Sequence, residues 1–317
     1  MRECVESLIR QDFPDFSVIV VDNSGRGVAR ELGLDFPRLY ILENTANVGF
    51  GGAINQGAHA SDSEFVATLN DDALASTGWL TALVRAIEPR YEIGMCASRV
   101  LLEGGRAVDS AGMLLCGDGS SRQRGHGENP DSYARGGEAL FPSGSAALYR
   151  RAMLDEVGGF DEDFFLYCED TDLGLRARWA AWECVYVPEA VVEHRYSLST
   201  GRASATKAFY VERNRLYAAA KNFPAAMLWR LPFVSLVRYA WHAYYGLRGS
   251  GTAGQFLTGG GGMADLAGIV CRAHLELWRN RRALAAKRRA MKRRLNPAQF
   301  MRLVSRFAIS PRKVAAL

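Results

Sequence analysis

Two runs constrain the fold before anything else does: Phe16-Ser-Val-Ile-Val-Val-Asp22 and Glu64-Phe-Val-Ala-Thr-Leu-Asn-Asp-Asp72. Each is almost continuously apolar and closes on carboxylates and amides. That is the pattern of a strand buried on both faces with a polar turn at its carboxyl end. Such strands need helices over both sides, so an α/β chain is predicted, and open α/β sheets collect ligands at those carboxyl ends. Further strands are expected near residues 39–42, 93–102, 141–150 and 183–194. Helices are expected near 4–10, 28–34, 79–87, 151–157 and 207–220.

The 317 residues suffice for one large α/β domain with an appendage, or for two domains. Apolar content of 48% and charged content of 23% exclude a disordered chain. Six cysteines without C-x-x-C spacing indicate neither a zinc site nor a disulfide framework, and reduced cytosolic thiols are the default. The N-terminus has no apolar core of a signal peptide. The net charge of +5 hides an asymmetry. From Cys271 onward fourteen Lys or Arg face one acid, Glu276, a balance of +13 that leaves −8 for residues 1–270. A basic tail on an acidic body wants a polyanion: lipid, nucleic acid or the body itself.

Three further stretches carry chemistry. Asn44-Thr-Ala-Asn-Val-Gly-Phe-Gly-Gly-Ala-Ile-Asn-Gln-Gly57 is a Gly/Asn-rich loop running into a helix. Ile54 stands where a dinucleotide fingerprint needs its third glycine, so the loop is either a plain tight turn or a close backbone approach to some other ligand. The Asn70-Asp71-Asp72 strand end places carboxylates together, which need water or a hard cation such as Mg²⁺ or Mn²⁺. Residues 158–178 pack Asp161, Glu162, Asp163, Glu169, Asp170 and Asp172 around Phe164, Phe165 and Tyr167. Read as a strand or pocket wall meeting a helix start, this stretch offers two roles for its acids: helix capping, or a carboxylate with its pKa tuned toward general-base work. His194 closes a β run, where a packed or surface role is the plain reading.

Elsewhere the signals are weaker. Residues 103–140 read as a long, partly mobile excursion of the binding-loop kind. Ser197-Leu-Ser-Thr-Gly201 is a polar connection. Residues 227–247 are aromatic-rich but broken by Arg230, Arg238 and His242, which suits either a helix in a membrane interface or a buried helix. Residues 249–262 read as a flexible Gly-rich linker and 277–294 as a basic helix.

Taken in order, Val20-Val-Asp-Asn-Ser24, Asn47 to Gly57, Leu69-Asn-Asp-Asp-Ala73, Gly144-Ser-Ala-Ala-Leu-Tyr-Arg-Arg151 and Gly159 to Arg176 resemble a family 2 glycosyltransferase of the GT-A fold, rhamnosyltransferase-like branch. The resemblance covers residues 3–222. It implies a Rossmann-like, mostly parallel central sheet flanked by helices over residues 1–222. A helical, basic, membrane-associating region would then occupy 223–317. The family's first strand normally precedes the helix at residues 4–10. Here it is apparently missing, because Met1 opens inside that helix, so a misassigned or truncated start is expected.

The resemblance also implies roles. Asp22 and Asn23 would face the nucleotide base, and Asn47, Gly49 and Asn55 would line the nucleotide site. Asn70, Asp71 and Asp72 stand at the D-x-D motif, with Asn in its first place. Asp72, Asp71 and His194 would hold Mn²⁺ or Mg²⁺, and Asp170 would be the general base. Glu169, Asp172, Gly144 and Ser145 would support it or the acceptor. The implied reaction is inverting, metal-dependent transfer of one sugar from a nucleotide-diphosphate sugar, with dTDP-rhamnose as the suggested donor. A glycan or lipid-linked glycan would accept it, at the cytoplasmic face of the plasma membrane and beside anionic lipid. Single transfer is expected because Arg178-Trp179 lies in the base helix, not in a downstream Q-x-x-R-W motif. An inactive nucleotide-sugar-binding relative and a galactosyl or galactofuranosyl transferase remain alternatives. A homo-oligomer is left open. A nucleic-acid partner would explain the tail and leave Asn70-Asp71-Asp72 and Glu169-Asp170 without purpose, so no nucleic acid is expected.

Overall fold

The computed structural model describes residues 1–33, 36–195 and 204–316. Leu34, assigned above to a short helix, and the Ser197–Gly201 connection lie outside them. The chain begins with α1 (Arg2–Ile9), β1 (Val18–Asp22) and β2 (Leu39–Glu43), and continues through α2 (Gly49–His59), β3 (Phe65–Leu69), β4 (Ala73–Ala75), α3 (Trp79–Ile87) and β5 (Ile93–Leu102). An excursion follows with β6 (Val108–Ser110), β7 (Met113–Leu115), β8 (Ser121–Gln123) and β9 (Gly137–Glu138). Then come β10 (Ala146–Arg150), α4 (Arg151–Val157), α5 (Glu169–Trp179) and β11 (Glu183–His194). The rest is helical: α6 (Ala205–Asn222), α7 (Ala225–Leu247), α8 (Gly251–Thr258), α9 (Met263–Ala290), α10 (Pro297–Ser305) and α11 (Pro311–Ala316).

The central sheet runs β3-β10-β5-β11-β4, with β6 added to β5 and β9 to β11. Its long strand β5 is buried along most of its length because helices cover one face and the excursion the other. The expected α/β class holds, but the expectation of a mostly parallel sheet does not. Among the described residues only β1–β2 and β5–β11 pair in parallel, while β10 runs antiparallel to both β3 and β5. An apolar run reports two-sided burial, and that is equally served by an antiparallel strand covered on both faces. β1 and β2 form a sheet of their own, so the pairing is interrupted between β1 and β3.

Several local expectations change. The excursion at 103–140 is folded: Val108, Asp109, Ala111 and Leu115 are buried in or beside the main core. The Gly-rich linker at 249–262 contains α8, and the basic helix extends back to Met263. Residues 164–167 are not a strand: Phe164 closes a 3-10 turn, and Phe165 and Tyr167 in the following loop take positive φ. The boundary expected at 222 does not divide two cores. Phe300, Val304 and Phe307 belong to the same apolar cluster as Met95, Phe141 and Leu173, and the Phe300 ring stacks on Trp179 with centroids 4.0 Å apart.

Candidate active site

The site forms where three turns meet. At the first, Asn47 Oδ1 accepts from the Gly49 N–H at 2.8 Å, and Gly49 takes φ +82°. A Cβ there would lie 2.3 Å from the Phe165 carbonyl oxygen, which accepts from the Phe50 N–H at 2.8 Å. Only glycine allows that approach. It stitches the start of α2 to the acidic loop.

That loop is strained. Phe165, Tyr167 and Cys168 all have positive φ, at roughly 1–3 kcal/mol each. The fully buried Asn214 of α6 offsets this: its Nδ2 donates to the carbonyls of Phe164, Leu166 and Tyr167 at 2.7–2.8 Å. The reward is the placement of Glu169 and Asp170 as the first residues of α5. Asp170 Oδ1 accepts from the Thr171 N–H at 2.6 Å and from Thr171 Oγ1 at 3.2 Å, and Oδ2 accepts from the Gly144 N–H at 3.1 Å. Burial raises the pKa of both carboxyls above the carboxylate range; for Glu169 the neighbouring Asp170 charge raises it further. Glu169 Oε2 is buried without a hydrogen-bond partner. A partly exposed carboxyl with a raised pKa, such as Asp170, is equipped to accept a proton.

The third turn is Asn70-Asp71-Asp72. The Asn70 N–H donates to the Ser145 carbonyl at 2.9 Å, and Ser145 follows Gly144, so the turn is tied to the base through two adjacent residues. Antiparallel pairing of β4 with β11 sets Ala73 opposite His194. His194 Nε2 then lies 3.1 Å from Asp72 Oδ1 across 122 positions of sequence. His194 Nδ1 lies 2.9 Å from Asp109 Oδ2, and the other Asp109 oxygen lies 3.1 Å from His126 Nδ1. Burial alone would lower the His194 pKa, but its bonds to Asp109 and Asp72 prevail and raise it to about 9.

An imidazole oriented from behind by a carboxylate is the usual support for a metal-binding histidine. Asp72 and His194 thus fit a divalent ion completed by phosphate oxygens, the mode Mg²⁺ favours. Asp71 does not join them: it is exposed, and among the described residues no group of three His, Cys, Asp or Glu converges on a metal position.

Other expected residues serve the frame. Asp22 is buried, and its two oxygens accept from the Ser24 and Ala29 N–H groups at 2.8 Å; hydrogen bonding from the Ser24 side chain first, then from the Ala29 backbone, holds its pKa down. In this geometry the carboxylate shapes the turn after β1. Asn23 bridges Asn44 and the Gly49 carbonyl. Asn55 spends both amide atoms on Phe160 and Glu162, clamping α2 to the acidic loop. Asp172 is fully buried against Arg176 and Lys221. Burial raises its pKa, these cations outweigh that, and it falls to about 2, so it is a structural anion and not an acceptor group. A cavity of about 380 Å³ beside Asn55, Asp161, Lys221 and Lys287 does not include Asp170. Asp109, His126 and Asn214 were not singled out from sequence. Asp109 sits in a short strand, His126 in a turn and Asn214 in a helix, and the local pattern of each carries no sign of where their side chains converge.

The family model described as "Glycosyl transferase family 2" matches residues 1–158. An N-acetylglucosaminyl-diphospho-decaprenol L-rhamnosyltransferase of Mycobacterium tuberculosis is 33% identical over 214 residues, spanning 60% of this chain and 70% of the relative. The O-antigen chain rhamnosyltransferase WbaN of Salmonella anatum is 23% identical over 184 residues, 57% of this chain and 56% of that one. Among solved structures, GalNAc-T7 with UDP, GalNAc and Mn²⁺ aligns with TM-score 0.58 at 13% identity, covering 74% of this chain and 47% of that chain. The mannosyltransferase PcManGT of Pyrobaculum calidifontis, in complex with GDP-Man and Mn²⁺, aligns with TM-score 0.50 at 16% identity, covering 96% and 81%. These two likenesses establish the GT-A fold.

Proposed function

The chain belongs to glycosyltransferase family 2, in its rhamnosyltransferase branch, and on that premise we propose inverting transfer of a single sugar to the hydroxyl of a lipid-linked glycan. The observation that carries the reading is the placement of Asp170: a carboxyl of raised pKa, held at both oxygens, in the first turn of α5 beside Gly144. Asp170 takes the proton of the acceptor hydroxyl as that oxygen attacks the anomeric carbon from the face opposite the leaving nucleotide. One displacement without an enzyme nucleophile inverts the centre. Gly144 and Thr171 keep the carboxylate aimed, and burial disfavours the charged form of the neighbouring Glu169. Asp72 and His194 would hold a divalent ion, which would supply charge neutralisation for the departing diphosphate.

A deoxysugar donor such as dTDP-rhamnose and an acceptor bearing a diphospho-polyprenol follow the names of the relatives. Action beside anionic lipid follows the basic helix α9 and the exposed aromatics of α7; among the described residues no helix is long and apolar enough to cross a membrane. The test is a transfer assay over a panel of nucleotide-diphosphate sugars with a synthetic glycosyl-diphospholipid, with Mn²⁺ or EDTA. Product of inverted anomeric configuration is expected. Retention, or full activity in EDTA, contradicts the reading.

A further inference from the structure

The β7–β8 hairpin carries a cation that the transfer chemistry leaves unused. Arg122 of β8 lies within electrostatic reach of Cys168 and of α6 and α7. Its Nη2 donates to the Val314 carbonyl of α11 at 3.1 Å, and its Nε is buried without a partner. Lys207 of α6 holds its Nζ 5.5 Å from the Tyr167 ring centroid. Among the described residues no carboxylate pairs with Arg122 or Lys207. Their neighbours differ: Arg215 and Arg238 share the buried anions Asp118 and Glu212. His242 offers no charge either, since burial, then Arg238 and Arg122, push its pKa down to about 3. Arg122 also feels Asp118, but Asp118 and Glu212 are already shared by Arg215 and Arg238, so two carboxylates serve three guanidinium groups with the half-buried Lys207 beside them; such an excess of cation marks a place where an anion is bound from outside.

That place adjoins the base. Ser121, next to Arg122, has its hydroxyl 2.7 Å from Thr171 Oγ1, and Thr171 holds Asp170. Tyr167, beneath Lys207, lies three residues before Asp170. We propose that Arg122 and Lys207 form a subsite for a phosphate of the acceptor, which presents the acceptor hydroxyl to Asp170. A planar guanidinium with a mobile ammonium suits a diphosphate ester. The donor diphosphate is met instead at Asp72 and His194, on β4 and β11, whereas Arg122 and Lys207 belong to the hairpin and the C-terminal helices. This inference rests on the assignment of Asp170 as base.

Inorganic pyrophosphate titrated calorimetrically into the full chain, with EDTA present, reads the subsite without turnover. Binding is expected, weakened about tenfold in both Arg122→Gln and Lys207→Gln and partly restored in Arg122→Lys, with thermal unfolding confirming that each variant folds. No binding to the wild type, or unchanged affinity in both variants, overturns the proposal. In the transfer assay, the kcat/KM ratio for a glycosyl-diphospholipid over the same sugar as a phosphate-free alkyl glycoside should fall about tenfold in Arg122→Gln. A loss in donor kcat/KM with that ratio intact would move the subsite to the donor and overturn it. If the wild type transfers no sugar at all, the pyrophosphate result still stands by itself, so failure of the subsite and failure of the transferase reading are separable.

Discussion

At the scale of single residues, Asp170 and Glu169 are adjacent carboxyls with different duties. Asp170 is hydrogen-bonded at both oxygens and only partly buried, while Glu169 is buried with one oxygen unpartnered. Asp170→Asn keeps the shape and removes the proton acceptor, so kcat should fall by about 10²–10⁴ with the fold intact by circular dichroism. Because its pKa is raised, the acidic limb of the kcat/KM profile should lie above the ordinary carboxylate value of about 4. A limb at or below 4 would remove Asp170 from the role. Glu169 makes a stability prediction. Its folded pKa exceeds its unfolded one, so its contribution is full below about 4 and is lost as pH rises through the folded value. Glu169→Gln should therefore gain on the wild type as pH rises from 5 to 9, by more than about 1 kcal/mol at the top of that range in urea melts.

At the scale of elements, the loop between α4 and α5 is the joint on which the site turns. Three residues with left-handed backbone are held by one amide, Asn214, and by the close seat of Gly49 under Phe165. Removing that amide leaves three buried carbonyls poorly satisfied, so Asn214→Ala should cost about 2–4 kcal/mol. It should also lower kcat, because Asp170 begins the helix this loop feeds. A variant with wild-type melting temperature and rate would show that the strain is held elsewhere. The spacing Asp172 to Arg176 was readable as a helical pair, and it is one. What i,i+4 spacing does not reveal is Lys221, which completes the pair from α6 and makes it a buried seam instead of a surface bridge.

At the scale of the whole molecule, the C-terminal helices are structural partners of the catalytic domain. α10 places Phe300 on Trp179, and the Arg238 and Arg215 guanidinium groups lock α7 and α6 around Asp118 of the hairpin. A chain ended at residue 222 would uncover Trp179, Phe223's neighbours and Asp118 together. It should be recovered insoluble, or melt more than about 10 °C lower by differential scanning fluorimetry; folding unchanged would restore two independent cores. The opposite face of α7 is unpaired: Trp229, Phe233, Leu236, Tyr244 and Leu247 are exposed along one side of the helix. With the cations of α9 nearby in sequence, that stripe should carry the protein onto anionic vesicles in flotation and be released by Trp229→Ser with Phe233→Ser. Indifference to lipid charge would sink the basic part of this account, and indifference to the two substitutions the apolar part.

The α/β class, most element positions, the paired acids that open α5 and the strand-end carboxylates were all legible in the sequence, because apolar periodicity and helix-start chemistry are local. The likeness of five ordered motifs to one family was legible for the same reason. Strand direction was not, since a doubly buried strand looks alike whichever way its neighbours run. Nor was the division of labour among polar residues: Asp22 and Asn55 turned to holding loops, Asp71 stayed in solvent, and Asp109 arrived behind His194 from 85 positions away. Those roles depend on which side chains meet across the sheet and over the C-terminal helices, and long-range convergence of single polar groups leaves no period in the chain. Only packing decided that Asp109 would back His194 and that Arg122 would join Arg215 and Arg238 around two shared carboxylates near Asp170's helix.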